Sequence, residues 1–199
     1  MNSPIILASA SRIRADLLRN AGVNFRAVPA RIDEEELRHA LEAEGAGARD
    51  LADALAEAKA RKISGKFPDS LVIGCDQVLA FRGETVAKSE TKEEAIALLK
   101  RLRGQAHQLL SAAVVYHQGE AQWRHVGVVR MHMRDFSDEY LHDYIERNWN
   151  SIREAVGCYK LEEEGVRLFR EVNGDYFSVL GLPLLPLLDF LAVRGVIES

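Results

Sequence analysis

The sequence predicts an α/β fold, because short apolar runs typical of buried strands alternate with segments whose apolar residues recur at helical spacing. The first unit shows this pattern. Ile5–Ala8 is an apolar run, small polar residues follow it, and apolar residues then recur every three or four positions as far as Ala21. Gly22 stands where this helix is expected to end. The length of 199 residues, 47% of them hydrophobic, suits one domain with a sizeable core. We expect a single domain over residues 1–199, with two lobes around one cleft.

The first half of the chain predicts two more strands and a second helix. Asn24–Pro29 is typical of a short strand. Asp50 is expected to cap a helix that continues to Lys62, because apolar residues recur on one face of that segment. Leu71–Asp76 is typical of a buried strand that ends at the aspartate, and Val78–Phe81 continues in the same direction.

The second half predicts a long hairpin between helices. Residues 106–117 and 122–134 are strand-like segments separated by Gly119, which suits an antiparallel pair. Capping signals predict helices that begin near Thr91, Ser137 and Pro183.

Composition excludes several classes of protein. The formal charge of −4 argues against general nucleic-acid binding, so any phosphate site is expected to be a local basic pocket. No apolar stretch approaches the ~20 residues that a membrane span requires, and residues 1–10 lack the pattern of a signal peptide. Cys75 and Cys158 form neither a disulfide framework nor a zinc spacing. We therefore expect a cytoplasmic protein that binds neither nucleic acid nor membrane.

The first candidate site is the turn between the first strand and the first helix. Ser9 and Ser11 place hydroxyls and backbone N–H groups at a helix N-terminus, where phosphate binds readily. Arg12 and Arg14 add charge and forked donors that suit phosphate oxygens. The alternative is that Ser11 only caps the helix and that both arginines are solvated.

Charged residues elsewhere provide further candidates. Asp76, after an apolar strand, suits a ligand of a divalent cation or a proton acceptor for water, although an ordinary turn residue is the alternative. The acidic run at 33–36 suits either a metal ligand or a solvated helix N-terminus. Gln77 could bond a base or face solvent. By composition alone, Lys59 and Lys88 are typical of solvated surface lysines.

Seven motifs follow one another along almost the whole chain. They are Ile6–Leu18, Ile32–Glu34, Leu55–Ala60, Ile73–Val78, Lys88, Gly157–Tyr159 and Val179–Leu184. In this order they resemble the signature of the Maf family of septum-formation-inhibitor-like nucleotide pyrophosphatases. Three departures are visible. Arg12 and Ile13 replace the family's usual Pro-Arg, Ser89 replaces the proline after its lysine, and Ser-Ala-Ala at 111–113 replaces its Thr-Gly-Val.

The resemblance implies a curved mixed β-sheet with flanking helices and a deep cleft, in the Maf/ITPase-like fold. It also implies hydrolysis of a nucleoside triphosphate to the monophosphate and pyrophosphate, assisted by Mg²⁺ or Mn²⁺. Asp76 would accept a proton from the water that attacks the α-phosphorus, and Glu34 and Asp76 would be the metal ligands. The triphosphate would be held by Ser9, Ser11, Arg12, Arg14, Lys59 and Lys88.

Three further residues bear on the choice of base. Gln77, Lys160 and Glu162 resemble the branch of the family that acts on 7-methyl-GTP, whereas the branch acting on dTTP and UTP usually has Thr and Gln at the first and last of these positions. A carboxylate such as that of Glu162 suits the donor edge of guanine. The resemblance also implies removal of non-standard nucleotides and a link to septum formation. A nucleotide-binding regulator of division with little catalysis is the alternative, and a homodimer is left open.

Overall fold

The computed structural model describes residues 4–198 and contains a mixed, open sheet of seven strands flanked by helices. The strands are β1 (Ile5–Leu7), β2 (Phe25–Ala27), β3 (Leu71–Phe81), β4 (Glu84–Val86), β5 (Ala106–His117), β6 (Glu120–Met133) and β7 (Phe169–Asn173). The helices are α1 (Arg12–Asn20), α2 (Glu34–Ala43), α3 (Ala48–Ser64), α4 (Lys92–Leu102), α5 (Asp138–Ile152), α6 (Tyr176–Val179) and α7 (Leu184–Val193), with a 3₁₀ helix at Glu164–Leu168. The predicted α/β class and mixed sheet are confirmed.

The sheet is parallel at one end and antiparallel at the other. Its strand order is β2-β1-β3-β5-β6-β7, and β4 pairs with the far end of β3. β1 runs parallel to β2 and β3, whereas all other pairs are antiparallel. The predicted hairpin is confirmed as β5 and β6. Within residues 4–198, no helix has both the length and the apolar character needed to cross a membrane.

One edge of β3 changes its partner half-way along the strand. β1 ends where the Ala8 N–H donates to the Ile73 carbonyl, and pairing with β4 begins only at Leu79. Between these points, Gly74–Val78 face no other strand on this edge within the described chain, while β5 pairs with them on the other edge. Asp76 lies in this gap. The prediction that a strand ends at Asp76 is therefore wrong, because β5 keeps β3 extended through it.

The start of α3 also differs from its prediction. The helix begins at Ala48 with Gly47 as its N-cap, and it ends at Ser64. Asp50 lies in the first turn instead of capping the helix, where its carboxylate still complements the positive end of the helix dipole. The two other caps predicted from hydroxyl residues are confirmed. Thr91 Oγ1 accepts from the Glu94 N–H at 3.2 Å, and Ser137 Oγ accepts from the Tyr140 N–H at 3.1 Å.

Three clusters of buried apolar side chains form the core. On one face of β3, Val72 and Val78 pack in the cluster under α3. On the opposite face, Ile73 belongs to the cluster with α1 and α7, and Leu79 belongs to the cluster with α4 and α5. Gln77 stands between these last two residues on the same face, so a polar side chain marks the boundary between two apolar clusters.

The closest approach between a helix and the sheet is at Gly74. A Cβ atom at this position would lie 2.1 Å from the Ala56 carbonyl oxygen and 2.6 Å from the Ala60 nitrogen. The α3 backbone therefore lies directly against β3, which a side chain would prevent. Asp76 is two residues further along the strand and shares this face, so it points towards α3.

We expect Gly74→Ala to reduce the free energy of unfolding by about 1–3 kcal/mol, because the added methyl group must push α3 away from the sheet. Gly65→Ala is the matched control, since a Cβ there would make only ordinary contacts, at 3.8 Å from the Arg61 and Lys62 carbonyl oxygens, and the backbone has a φ of −61°. Urea unfolding followed by tryptophan fluorescence measures both variants. Equal stability of the two would contradict the proposed contact.

One buried histidine lies in the cluster with α4 and α5. His107 Nε2 is 2.6 Å from the Tyr159 hydroxyl, whose ring packs edge-on against Phe169 at a centroid distance of 4.7 Å. Nδ1 of His107 is buried and has no hydrogen-bond partner among residues 4–198. Burial, together with the charge of nearby His132, lowers the pKa of His107 from 6.5 to about 4. The imidazole is therefore neutral in the folded protein near pH 6.5.

This histidine makes stability depend on pH. Between pH 6.5 and about 4 the unfolded chain binds a proton at His107 that the folded chain does not, so stability rises with pH across this window. The contribution is roughly 3 kcal/mol over the whole window. We expect His107→Gln to show a correspondingly smaller change in urea midpoint between these pH values than the wild type. Parallel pH profiles for the two proteins would overturn the assignment.

Candidate active site

A buried ammonium group lies between two carboxylates. Lys59 Nζ is 2.7 Å from Asp76 Oδ1 and 3.0 Å from Glu34 Oε1. Lys59 is 8% exposed and Asp76 is 6% exposed. The compositional interpretation of Lys59 as a solvated lysine is therefore wrong. Residues from α2, α3 and β3 meet here, although Glu34 and Asp76 are 42 positions apart in the sequence.

Each of these side chains is placed by its own secondary structure. Lys59 belongs to the buried stripe of α3, one turn after Leu55 and one turn before Ile63. Asp76 faces α3 from β3. Glu34 is the first residue of α2, and its side chain is 50% exposed, so it closes the cluster on the solvent side. The acidic run thus forms a partly solvated helix start and also supplies one carboxylate to the cluster.

The donor set fits a hydrated divalent cation. Asp76 and Glu34 offer carboxylate oxygens, the ligands that Mg²⁺ and Mn²⁺ prefer in proteins. Within residues 4–198, no three or more His, Cys, Asp or Glu side chains are grouped to hold a metal ion. Two carboxylates suit an ion whose other ligands are water and substrate phosphates, which is how Mg²⁺ is usually bound beside nucleotides.

The turn before α1 uses its hydroxyl groups locally. Ser9 is 8% exposed, and its Oγ accepts from the Ser11 N–H at 3.1 Å. Ser11 Oγ accepts from the Arg14 N–H at 3.4 Å, so Ser11 caps the helix, as the alternative to a phosphate site stated. The Arg12 side chain is 95% exposed, with Nε 3.7 Å from an Asp16 carboxylate oxygen. Arg12 therefore points into solvent on the outer face of α1.

Arg14 reaches the backbone beside Asp76. Its Nε donates to the Gly181 carbonyl at 2.8 Å, and its Nη1 donates to the Cys75 carbonyl at 3.0 Å. Burial raises the pKa of the Cys75 thiol to about 11, against the opposing effect of the Arg14 charge. This environment suits a small core residue and not a nucleophile.

Gln77 lies on the face of β3 opposite Asp76. Its Nε2 is 2.9 Å from Ser111 Oγ, 3.1 Å from the Ser178 carbonyl and 2.9 Å from the Val179 carbonyl. Sequence reasoning did not select Ser111 or Ser178. Ser111 lies in the segment 111–113, which differs from the family's usual sequence, and Ser178 directly precedes the motif that begins at Val179.

Three predicted residues make no hydrogen bond or ion pair with the cluster in the described part of the chain. Lys88 is exposed in the loop between β4 and α4, and it forms no ion pair within residues 4–198. Lys160 Nζ donates to Ser151 Oγ at 2.8 Å and lies 3.5 Å from Glu163 Oε1. Glu162 is exposed, and the described chain provides it with no hydrogen bond or ion pair. The structure brings Glu34, Lys59 and Asp76 together, but not these three.

Two surface cavities, of about 230 and 490 Å³, both include His125 and Val126 of β6 in their walls. Neither cavity is lined by Asp76, Lys59 or Glu34. The candidate site is therefore recognised from its buried charges at a gap in the sheet, and not from a cavity.

Comparison with known proteins identifies the family of this chain. Residues 4–194 match the family model described as Maf-like protein. The chain belongs to the Maf family. The resemblance drawn from its seven motifs is thus confirmed.

Several Maf-family relatives are similar to this chain along its full length. The nucleoside triphosphate pyrophosphatases of Ruegeria sp. (strain TM1040) and Ruegeria pomeroyi are 59% and 60% identical to it over 199 residues, covering all of each chain. A protein of Rhizobium meliloti (strain 1021) named 7-methyl-GTP pyrophosphatase is 43% identical, again over the full length of both chains.

The two candidate lysines are expected to differ sharply in their contribution to stability. Lys59→Met leaves the Asp76 carboxylate buried without its partner, so we expect a loss of roughly 3 kcal/mol in the free energy of unfolding. Lys88→Met is the matched control and should stay within ~0.5 kcal/mol of wild type, because Lys88 is exposed. Urea unfolding measures both. Similar values for the two variants would show that the Lys59 ion pair is not buried.

Proposed function

We propose that this chain hydrolyses a nucleoside triphosphate to the monophosphate and pyrophosphate, with Asp76 accepting a proton from the attacking water. The predicted enzyme class, a hydrolase acting on the phosphoanhydride of nucleoside triphosphates, is confirmed by full-length relatives of that name at 59–60% identity. The observation that carries the proposed mechanism is the buried contact of 2.7 Å between Asp76 and Lys59. A binding protein without catalysis does not require a carboxylate held in this way.

The cluster supplies the groups that this reaction needs. Water oxygen forms a bond to the α-phosphorus, and the bond from that phosphorus to the bridging oxygen of the pyrophosphate breaks. The water proton passes to Asp76, whose Oδ2 is left for this role because Oδ1 accepts from Lys59. The Lys59 ammonium stabilises negative charge as it develops on the phosphoryl oxygens. A Mg²⁺ or Mn²⁺ ion held by Asp76 and Glu34 would supply further charge stabilisation.

The phosphate cradle is proposed from the serines at the start of α1 and from exposed cations. Ser9 and Ser11 lie at the start of α1, where backbone N–H groups favour an anion. Lys88 and Arg12 are exposed cations that a triphosphate could recruit. Arg14 and Gln77 already direct nitrogen donors at backbone carbonyls, so the prediction that they contact the nucleotide stays a prediction.

The base is proposed to be guanine-like, with 7-methyl-GTP as one candidate. The support is the exposed carboxylate of Glu162, which suits the N–H donors of guanine. The 43% identical relative named for 7-methyl-GTP adds to it. Lys160 Nζ donates to Ser151 Oγ, so we expect its side chain to stabilise the loop that contains Glu162 and not to contact the base. Five further points stay predictions. They are the removal of non-standard nucleotides, a link to septum formation, a cytoplasmic location, a single domain with two lobes, and a homodimer.

We expect Asp76→Asn to remain folded with reduced stability, because Glu34 still pairs with the Lys59 ammonium, and to lose ~10²–10⁴-fold in turnover, the usual contribution of a general base. The assay measures pyrophosphate release from 7-methyl-GTP, GTP, dTTP, UTP and CTP with Mg²⁺ or Mn²⁺, and with EDTA as the metal-free arm. Asp69→Asn, an exposed aspartate outside the cluster, is the matched control. Near-wild-type turnover in a folded Asp76→Asn protein would refute the proton-acceptor role. Nucleotide binding without any release of pyrophosphate by the wild type would favour the regulatory alternative.

A further inference from the structure

The loop between α5 and the 3₁₀ helix, residues 153–163, carries Lys160 and the candidate base ligand Glu162. Residues 156–159 of this loop are buried, whereas Glu162 is exposed. Loops usually run over the surface, where water satisfies their polar groups. A buried loop segment must instead find its hydrogen-bond partners inside the protein. The partners of this segment therefore determine where the exposed part of the loop lies.

One hydrogen bond joins the buried part of the loop to the sheet. The Tyr159 hydroxyl lies 2.6 Å from Nε2 of His107 on β5, and no other group of residues 4–198 bonds this hydroxyl. Burial raises the pKa of Tyr159 well above its usual value, so the hydroxyl keeps its proton. His107 is 2% exposed, so the imidazole lies beneath the loop and out of reach of a bound nucleotide.

The direction of this bond follows from a count of the polar groups. If the hydroxyl donates to Nε2, one group is left without a partner in the described chain, the Nδ1–H of His107. If Nε2–H donates to the hydroxyl oxygen, the bare Nδ1 and the hydroxyl hydrogen are both left without one. Each such buried group is costly, so the first arrangement is favoured. Tyr159 therefore depends on His107 as its acceptor.

The backbone before Tyr159 is held just as closely. The Tyr144 hydroxyl of α5 donates to the Cys158 carbonyl at 3.2 Å. Cys158 has a φ of +54°, which is uncommon for a residue with a side chain. A Cβ atom at Gly157 would lie 2.3 Å from Cε1 of Tyr159, so the ring lies directly against the Gly157 backbone. The Tyr159 ring thus fits one position between the loop and the sheet.

The backbone after Tyr159 leads to Glu162 within three residues. A Cβ atom at Gly165 would lie 2.5 Å from the Lys160 carbonyl oxygen, so this part of the chain folds back tightly on itself. The Glu164 carboxylate accepts hydrogen bonds from two side chains of α5, at 2.7 and 2.8 Å. Glu162 therefore lies on a short span between two anchors, and Tyr159 is the one that reaches the sheet.

We propose that His107 is a positioning residue for base recognition, which holds the 153–163 loop through the Tyr159 hydroxyl so that Glu162 is directed at the base. The inference rests on the proposed function, because Glu162 must bond the base for its position to matter. A directional hydrogen bond fixes a side chain more closely than apolar packing alone. The β5 strand that keeps β3 extended at Asp76 would thus also hold the loop that selects the nucleotide.

The test compares kcat/KM for 7-methyl-GTP and dTTP, because general damage to the site lowers both values and leaves their ratio unchanged. His107→Leu removes the acceptor and keeps a buried side chain of similar size. We expect the preference for 7-methyl-GTP to fall about 10-fold or more, chiefly through KM. His117→Leu is the matched control and should keep the wild-type ratio, because this second histidine of β5 contacts the Ser70 carbonyl and not the loop. An unchanged ratio in His107→Leu would overturn the inference.

Two conservative variants separate the hydrogen bond from packing. His107→Gln retains an amide that reaches the position of Nε2 and can accept from the hydroxyl, so we expect the ratio to stay within about threefold of wild type. Tyr159→Phe removes the hydroxyl and keeps the ring, and it should reproduce the effect of His107→Leu. The two changes together should have no larger effect than either alone. Additive effects, or a loss in His107→Gln equal to that in His107→Leu, would contradict the role of this bond.

Glu162→Gln tests whether the effect reaches the base through the loop. In this background His107→Leu should leave the ratio unchanged, and a full further loss would overturn the inference. If His107→Leu does not fold, as judged by urea unfolding, Tyr159→Phe decides by the same criteria. A wild type that hydrolyses no nucleotide, or that prefers dTTP, would refute the proposed function or the proposed base and this inference with it. A wild type that prefers 7-methyl-GTP, with variants of the contrary profile, would refute this inference alone.

Discussion

The close contact between α3 and β3 at Gly74 determines how the candidate site is built. No side chain separates the two backbones there. Lys59, the first buried residue of α3 after Ala56, therefore reaches the carboxylate of Asp76 at 2.7 Å. A buried ammonium and a buried carboxylate are each costly in isolation and tolerable together. Glu34 adds a second carboxylate from the solvent side, at 3.0 Å from the same ammonium. One helix-to-sheet contact thus assembles the three charged groups on which the proposed reaction depends.

The mixed sheet explains why this site lies where it does. In α/β sheets, ligands bind beyond the ends of parallel strands, where backbone groups are left without a neighbour. Here the parallel part of the sheet ends at β1, and β3 continues past it with β5 as its remaining partner until β4 begins. Asp76 occupies the gap. The antiparallel hairpin of β5 and β6 keeps the strand extended through it, so the carboxylate has a fixed backbone and an open edge.

Residues of the same family signature make two different kinds of contact in this structure. Asp76, Lys59 and Glu34 present charged groups to one another, as a reaction on phosphates requires. Arg14 and Gln77 direct their donors at main-chain carbonyls. Sequence motifs record that a position matters but not whether its side chain touches the substrate.

The sequence by itself determined the α/β class, the long hairpin, the caps at Thr91 and Ser137 and the family, because periodicity, capping and motif order depend on residues close together in the chain. Composition could not show that Lys59 is buried, since that depends on a contact with another element. Nor could it show that Arg14 bonds Gly181, which lies 167 positions away. Only the tertiary structure decided these points, because burial and long-range hydrogen bonds exist only once the helices have packed against the sheet.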